Sequence, residues 1–165
     1  MTRTKPSKTE RKRRQQALQQ LGEQLIELKD DALESLALEE RLRDAIDDAR
    51  KMKSREALRR HKQYIGKLMR DVDPEPIRAL LSKLRADDRR QKRIFADAER
   101  WRDRMIGEGR EALSEFEEVV GEPHEALRAF LDELAHAGSD RMERTIRRNI
   151  FRDLHDALAA RTTDG

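Results

Sequence analysis

The 165-residue chain contains no cysteine, one tryptophan, one tyrosine and four phenylalanines. Without cysteine there are no disulfides and no thiolate metal sites, which suits a reducing compartment. Aromatic residues make up 4% and hydrophobic residues 36% of the chain. An ordinary globular domain has roughly 45–50% apolar residues, so one large core cannot be filled. No apolar run approaches the roughly 18 residues of a membrane span. The basic N-terminus is not followed by the apolar stretch of a signal peptide. A soluble, cytoplasmic protein with no membrane partner is expected. Alternating β-branched runs and Asn-Gly hairpins are also nearly absent, which argues against a sheet.

What the chain has in excess is charge: 43% of its residues are charged, yet the net charge is only +3. Disorder favours high net charge without periodicity, whereas apolar residues here recur at helical spacing. The composition therefore predicts long helices with narrow apolar stripes. The small net charge hides segregation. Residues 1–14 carry seven basic groups and one acid, residues 15–49 three and ten, residues 50–70 nine and one, and residues 105–136 two and nine. A solvated helix surface usually mixes signs. A block of one sign creates a local field that selects an oppositely charged partner.

The apolar stripes place the elements. Ser7-Lys8-Thr9-Glu10 fits the S-x-x-E capping box, so a first helix starts near Lys8. Its stripe is Leu18, Leu21, Leu25, Leu28 and Ala32. Lys8, Arg11, Lys12, Arg13 and Arg14 occupy its first turns, where positive charge opposes the helix dipole. Folding gains nothing from that arrangement; an anionic partner would. A second helix is expected over about 38–52 and a third over about 54–70. At roughly 100° per residue, Leu58, His61, Ile65, Leu68 and Ala57 share one side of the third helix. Arg55, Arg59, Lys62, Gln63 and Arg70 share the other, with Tyr64 at the border. After Asp73-Pro74-Glu75-Pro76, a stripe through Ile77, Leu80, Leu81, Leu84, Gln91, Ile94, Phe95, Ala98, Trp101 and Met105 predicts one long helix. Its middle, Arg85 to Arg93, has no large apolar residue, as in a helix that bridges solvent. Glycines near positions 107, 121 and 138 punctuate three further helices. The expected fold is all-α and elongated: a basic three-helix bundle (1–73), a connecting helix (74–106) and a C-terminal bundle (107–165) completed by the end of that helix.

Catalytic and metal signatures are missing. His124-Glu125-Ala126-Leu127-Arg128 begins like the H-E-x-x-H zinc motif, but Arg128 replaces the second histidine. The histidines lack metal-ligand spacing. His61 and Trp101 lie on apolar stripes, where core packing is the ordinary role. No nucleophile sits in a recognisable motif. No enzyme, metal or cofactor is expected. The two basic blocks remain, with Gln63 and Tyr64 able to add hydrogen bonding and stacking. These features point to a polyanion and leave RNA, DNA and an acidic protein surface open. A membrane-surface helix would want large apolar residues opposite its basic face. The aliphatics there are needed by the bundle.

Specific stretches narrow the choice. Pro6-Ser7-Lys8-Thr9-x-x-Lys12-Arg13, Leu42-Arg43-x-Ala45-Ile46 and above all Arg59-Arg60-His61-Lys62-Gln63-Tyr64-Ile65-Gly66-Lys67-Leu68-Met69-Arg70 resemble the bacterial YjgA/DarP family. That sharpest match runs on to Glu75-Pro76-Ile77-Arg78, while Trp101-Arg102-Asp103-Arg104-Met105-Ile106 and Ile150-Phe151-Arg152-Asp153-Leu154 are similar but less diagnostic. The resemblance implies a non-enzymatic ribosome-associated factor that binds large-subunit (50S) precursors and assists maturation of 23S rRNA around the peptidyl transferase centre. The chain departs from the family by starting almost directly at the basic segment, where some members have a long acidic extension. It also has Ala37 where members often have proline. The expected rRNA-binding set is Lys8, Arg11, Lys12, Arg13, Arg14, Arg55, Arg59, Arg60, Lys62, Gln63, Tyr64, Lys67 and Arg70. The protein is expected to be a monomer, with ribosomal proteins or other assembly factors as further partners. A coiled-coil interaction module and a DNA-binding nucleoid protein are the alternatives.

Overall fold

The computed structural model describes residues 7–161. Those residues form eight α-helices, one 3-10 turn and no strand: α1 (Lys8–Ile26), α2 (Asp30–Glu34), α3 (Glu40–Lys51), α4 (Arg55–Leu68), the 3-10 turn (Met69–Asp71), α5 (Glu75–Glu108), α6 (Arg110–Val120), α7 (Glu125–Ala135) and α8 (Asp140–Arg161). The protein is all-α. Local chemistry sets the helix starts. At α1 the Glu10 amide donates to Ser7 Oγ at 3.2 Å and the Ser7 amide donates to Glu10 Oε2 at 2.6 Å, the reciprocal capping box. At α4 the Ala57 amide donates to Ser54 Oγ at 3.4 Å. At α5 the Glu75 amide donates to Asp73 Oδ1 at 3.1 Å, and Pro76 occupies the first turn, where its missing N–H costs nothing.

The chain divides into two compact units between Leu84 and Arg85. The core of the first comes from Leu21 and Leu25 of α1, Leu42, Ala45, Ile46 and Ala49 of α3, Ile65 of α4, Met69, and Ile77 and Leu81 of α5. One expectation changes here. The first stripe predicted a helix reaching Ala32, but α1 stops at Ile26 and a one-turn helix, α2, follows. The cause is Arg50. Its guanidinium donates to the carbonyl of Ile26 at 3.0 Å and to that of Leu28, and it pairs with Asp30 at 2.5 Å. These bonds satisfy carbonyls that a helix end leaves open and fold Leu33 and Leu36 back onto the core.

The second unit packs Ile94, Ala98 and Met105 of α5 against Leu113 and Phe116 of α6, Leu127 and Leu131 of α7, and Ile146, Ile150, Leu154 and Leu158 of α8. Trp101 meets Phe116 edge-on at 5.3 Å and carries the Arg104 guanidinium 4.9 Å above its ring, so it packs on the core as its stripe predicted. α5 is continuous over the division. Between Leu81 and Ile94 none of its side chains is buried, as the apolar gap predicted. Phe95 departs from the stripe and is 50% exposed.

Candidate nucleic-acid interface

The basic residues of the first unit are positioned by a close antiparallel contact between α1 and α4. Gly22 and Gly66 make it possible. A Cβ on Gly66 would lie 3.0 Å from the Gln19 Cβ and 3.3 Å from its Cα, and one on Gly22 would lie 2.7 Å from Ile65 Cγ2. The contact is closed by Gln15 Nε2 donating to the Gly66 carbonyl at 3.1 Å and by Arg70 Nε donating to Gln15 Oε1 at 2.6 Å.

This contact takes one residue, Lys62, out of the expected open side of α4. Lys62 and Gly66 stack one above the other on a helix, so the side that buries Gly66 also takes Lys62. Lys62 Nζ pairs with Glu23 of α1 at 3.2 Å, with both side chains about one-third exposed. Lys62 therefore holds two helices together and does not stand on the open face. The polar side chains of α4 that remain exposed are those of Arg55, Arg59, Arg60, Gln63 and Lys67, with Arg70 following in the 3-10 turn. Ala57, placed inward by the sequence pattern, is exposed. His61 is half-buried and donates through Nε2 to the Ala45 carbonyl at 2.7 Å, a packing role.

The cations are not equally available. Arg59 and Arg60 share one carboxylate oxygen of Glu56, at 3.1 and 3.2 Å. Such exposed helical pairs are worth only about 0.3–0.5 kcal/mol each, so a phosphate can displace them. Tyr64 is half-buried, and its hydroxyl accepts from Arg41 Nε at 3.1 Å. That bond holds the Arg41 guanidinium above its ordinary pKa. Lys8, Arg11, Lys12, Arg13, Arg14, Arg55 and Lys67 are exposed and have no ion-pair partner among the described residues.

The set is brought together only in part. Arg55 and Lys67 lie at opposite ends of α4, about 18 Å apart at 1.5 Å per residue. At the C-terminal end of α4, a hollow of about 340 Å³ is lined by Arg14, Leu18, Met69, Arg70, Val72 and Arg78, among others. It joins the basic start of α1 to α4 through Arg14 and Arg70. Arg78, which pairs with Glu75 at 2.6 Å, was missed by sequence reasoning because the Pro74 helix break separates it from the basic block. A second omission is α8, where Arg141, Arg144, Arg148 and Arg152 fall in one helical row. Acids on its other faces hide that row from a charge count, but its spacing of three and four residues is readable.

Among the described residues no three His, Asp or Glu side chains group as metal ligands would. No helix there is long and apolar enough to cross a membrane. The fold and surface thus define an all-helical protein with partner-free cations gathered on α1 and α4. Comparison with known proteins gives the particular family. A family model described as "Dual-action ribosomal maturation protein DarP" matches residues 4–155. Proteins of that description from Thiobacillus denitrificans and Vibrio cholerae are 35% and 39% identical to this chain. Both alignments cover 94% of it, and they cover 88% and 80% of the relatives. One from Vibrio atlanticus is 47% identical over 70% of this chain and 66% of its own length. The chain belongs to the DarP family of ribosomal maturation proteins.

Proposed function

We propose that this protein is a cytoplasmic assembly factor of the 50S subunit that binds 23S rRNA in precursors and promotes maturation of the peptidyl transferase centre. The observation that carries the reading is the set of unpaired lysines and arginines on α1 and α4, in a member of a ribosomal maturation family. In this reading the basic bundle, residues 1–73, docks on folded rRNA as a monomer. Lys8, Arg11, Lys12, Arg13 and Arg14 meet one stretch of phosphates, and Arg55, Arg59, Arg60, Lys67 and Arg70 meet another. Gln63 is exposed for a base or sugar contact. Tyr64 joins only after releasing Arg41, and Lys62 acts by fixing α1 to α4. The work is non-covalent: tighter binding to one rRNA conformer raises its population over misfolded ones.

The test is a triple charge reversal, Arg55→Glu, Arg59→Glu and Lys67→Glu, at exposed positions outside the core. Co-sedimentation with 50S precursors should be lost while the far-UV helical signal is kept. Undiminished co-sedimentation would remove this face from the ribosome contact.

A further inference from the structure

In the second unit, α5 and α8 flank an open cleft of about 790 Å³, within the usual range of small-ligand sites. Phe95 stands at it with half its surface in solvent, and its ring meets Phe151 edge-on at 5.1 Å. The two walls differ in charge: α5 sets two carboxylates around one guanidinium, Arg102, whereas α8 is basic. On the α5 side are Glu99 and Asp103. Asp103 Oδ1 accepts from Arg102 at 2.8 and 3.0 Å, and Glu99 stands 3.9 Å from the same guanidinium. On the α8 side are Arg148 and Arg152. The row continues along α8 through Arg144 and Arg141, and Arg141, Arg144 and Arg148 have no ion-pair partner among the described residues.

We propose that this cleft is a second RNA site, one that takes an unpaired base against Phe95 while the α8 arginines hold the adjoining phosphates. It rests on the reading that RNA is the partner of this chain, and extends it to the second unit. Three features select that occupant. An exposed aromatic face offers stacking that any base can use. A row of arginines at helical spacing tracks successive phosphates. On the α5 wall the one guanidinium, Arg102, is already engaged by Asp103 and Glu99, so the free cations that can hold the backbone are those of α8 and the base points inward. There Glu99 and the second oxygen of Asp103 can accept from an exocyclic amino group. Cytosine and adenine carry one; uracil presents a carbonyl oxygen instead.

The test uses the full chain and labelled single-stranded nonamers of cytidine, adenosine or uridine, followed by fluorescence anisotropy. Co-sedimentation with 50S precursors is measured in parallel. Phe95→Ala should weaken cytidine and adenosine nonamers roughly tenfold, the effect of losing one stacked base. Arg148→Glu should weaken all three, and the unmodified chain should prefer cytidine and adenosine over uridine. A loss confined to Arg148→Glu would overturn the proposal, because charge alone would then account for binding. So would affinity unchanged from the unmodified chain in both variants, which would leave the cleft to an acidic protein surface. Failure of the unmodified chain to co-sediment would refute the ribosomal reading, whereas nonamer affinities that ignore Phe95 while co-sedimentation persists would refute the cleft alone.

Discussion

Glu56 is the one acidic residue within the basic block of residues 50–70, and replacing it with glutamine should strengthen RNA binding. Its carboxylate holds Arg59 and Arg60 at 3.1 and 3.2 Å, and all three side chains are more than half exposed. Glu56→Gln keeps the shape and removes the charge. The fold loses two exposed helical pairs and a favourable charge in the first turn of α4, together about 1–2 kcal/mol. The face gains the equivalent of one cation. Each neutralised phosphate contributes roughly 0.7 to 0.9 to the slope of log K against log salt. At about 0.1 M salt, one further unit multiplies affinity about five- to eightfold. Fluorescence anisotropy with a structured fragment of 23S rRNA, titrated over a range of potassium chloride, gives both quantities. The expected result is tighter binding at low salt and a slope steeper by about 0.7–0.9. Glu111→Gln, at an exposed site on α6 in the other unit, serves as the control and should change neither. An unchanged slope, or weaker binding, would show that phosphates do not meet this side of α4.

Two predictions concern the scaffold. Gly22→Ala places a Cβ 2.7 Å from Cγ2 of the fully buried Ile65. Overpacking of about 1–3 kcal/mol should outweigh the roughly 1 kcal/mol gained in helix propensity. In chemical denaturation, Gly22→Ala/Ile65→Ala should then lose less than the sum of the single changes, and strict additivity would refute the contact. In the second unit, Glu108 is held below its ordinary value of 4.5, chiefly by the hydrogen bond from Arg104. Because the native pKa is the lower one, the unfolded chain takes up the proton first as pH falls. The pair's contribution is complete above the ordinary value and is lost as pH drops through the native one. Glu108→Gln should flatten the acid limb of stability read from Trp101, which stacks under Arg104; an unaltered limb would contradict the pair's role.

The helices were legible because each has a narrow stripe with few competing signals. The capping box at Ser7, the break at Pro74 and the glycines near 107, 121 and 138 mark their ends as the structure has them. The end of α1 was not legible. Leu28 and Ala32 continue the stripe without interruption, and what stops the helix is Arg50, distant in sequence, drawing the carbonyls of Ile26 and Leu28 to itself. Periodicity records which residues seek the core. It holds no trace of a guanidinium arriving from another helix to claim the backbone.

The basic face shows the same limit at the level of function. A helical wheel for α4 puts Lys62 on its cationic side, because a lysine counts as outward wherever the apolar residues face away. Gly66, four residues on, reverses that inference. A glycine has no side chain to mark a face, yet on α4 it permits a close approach, and α1 lies against it. The lysine beneath that contact becomes a strut to Glu23, while Lys67 and Arg60, which the wheel sets toward the margin, are open to solvent. The pairing of the lysine with Glu23 accompanies the close approach that the glycine permits. The basic surface is therefore fixed as much by the two glycines that bring α1 and α4 together as by the charges themselves. A change at Gly66 should disturb rRNA affinity although the residue carries nothing that a phosphate could bind.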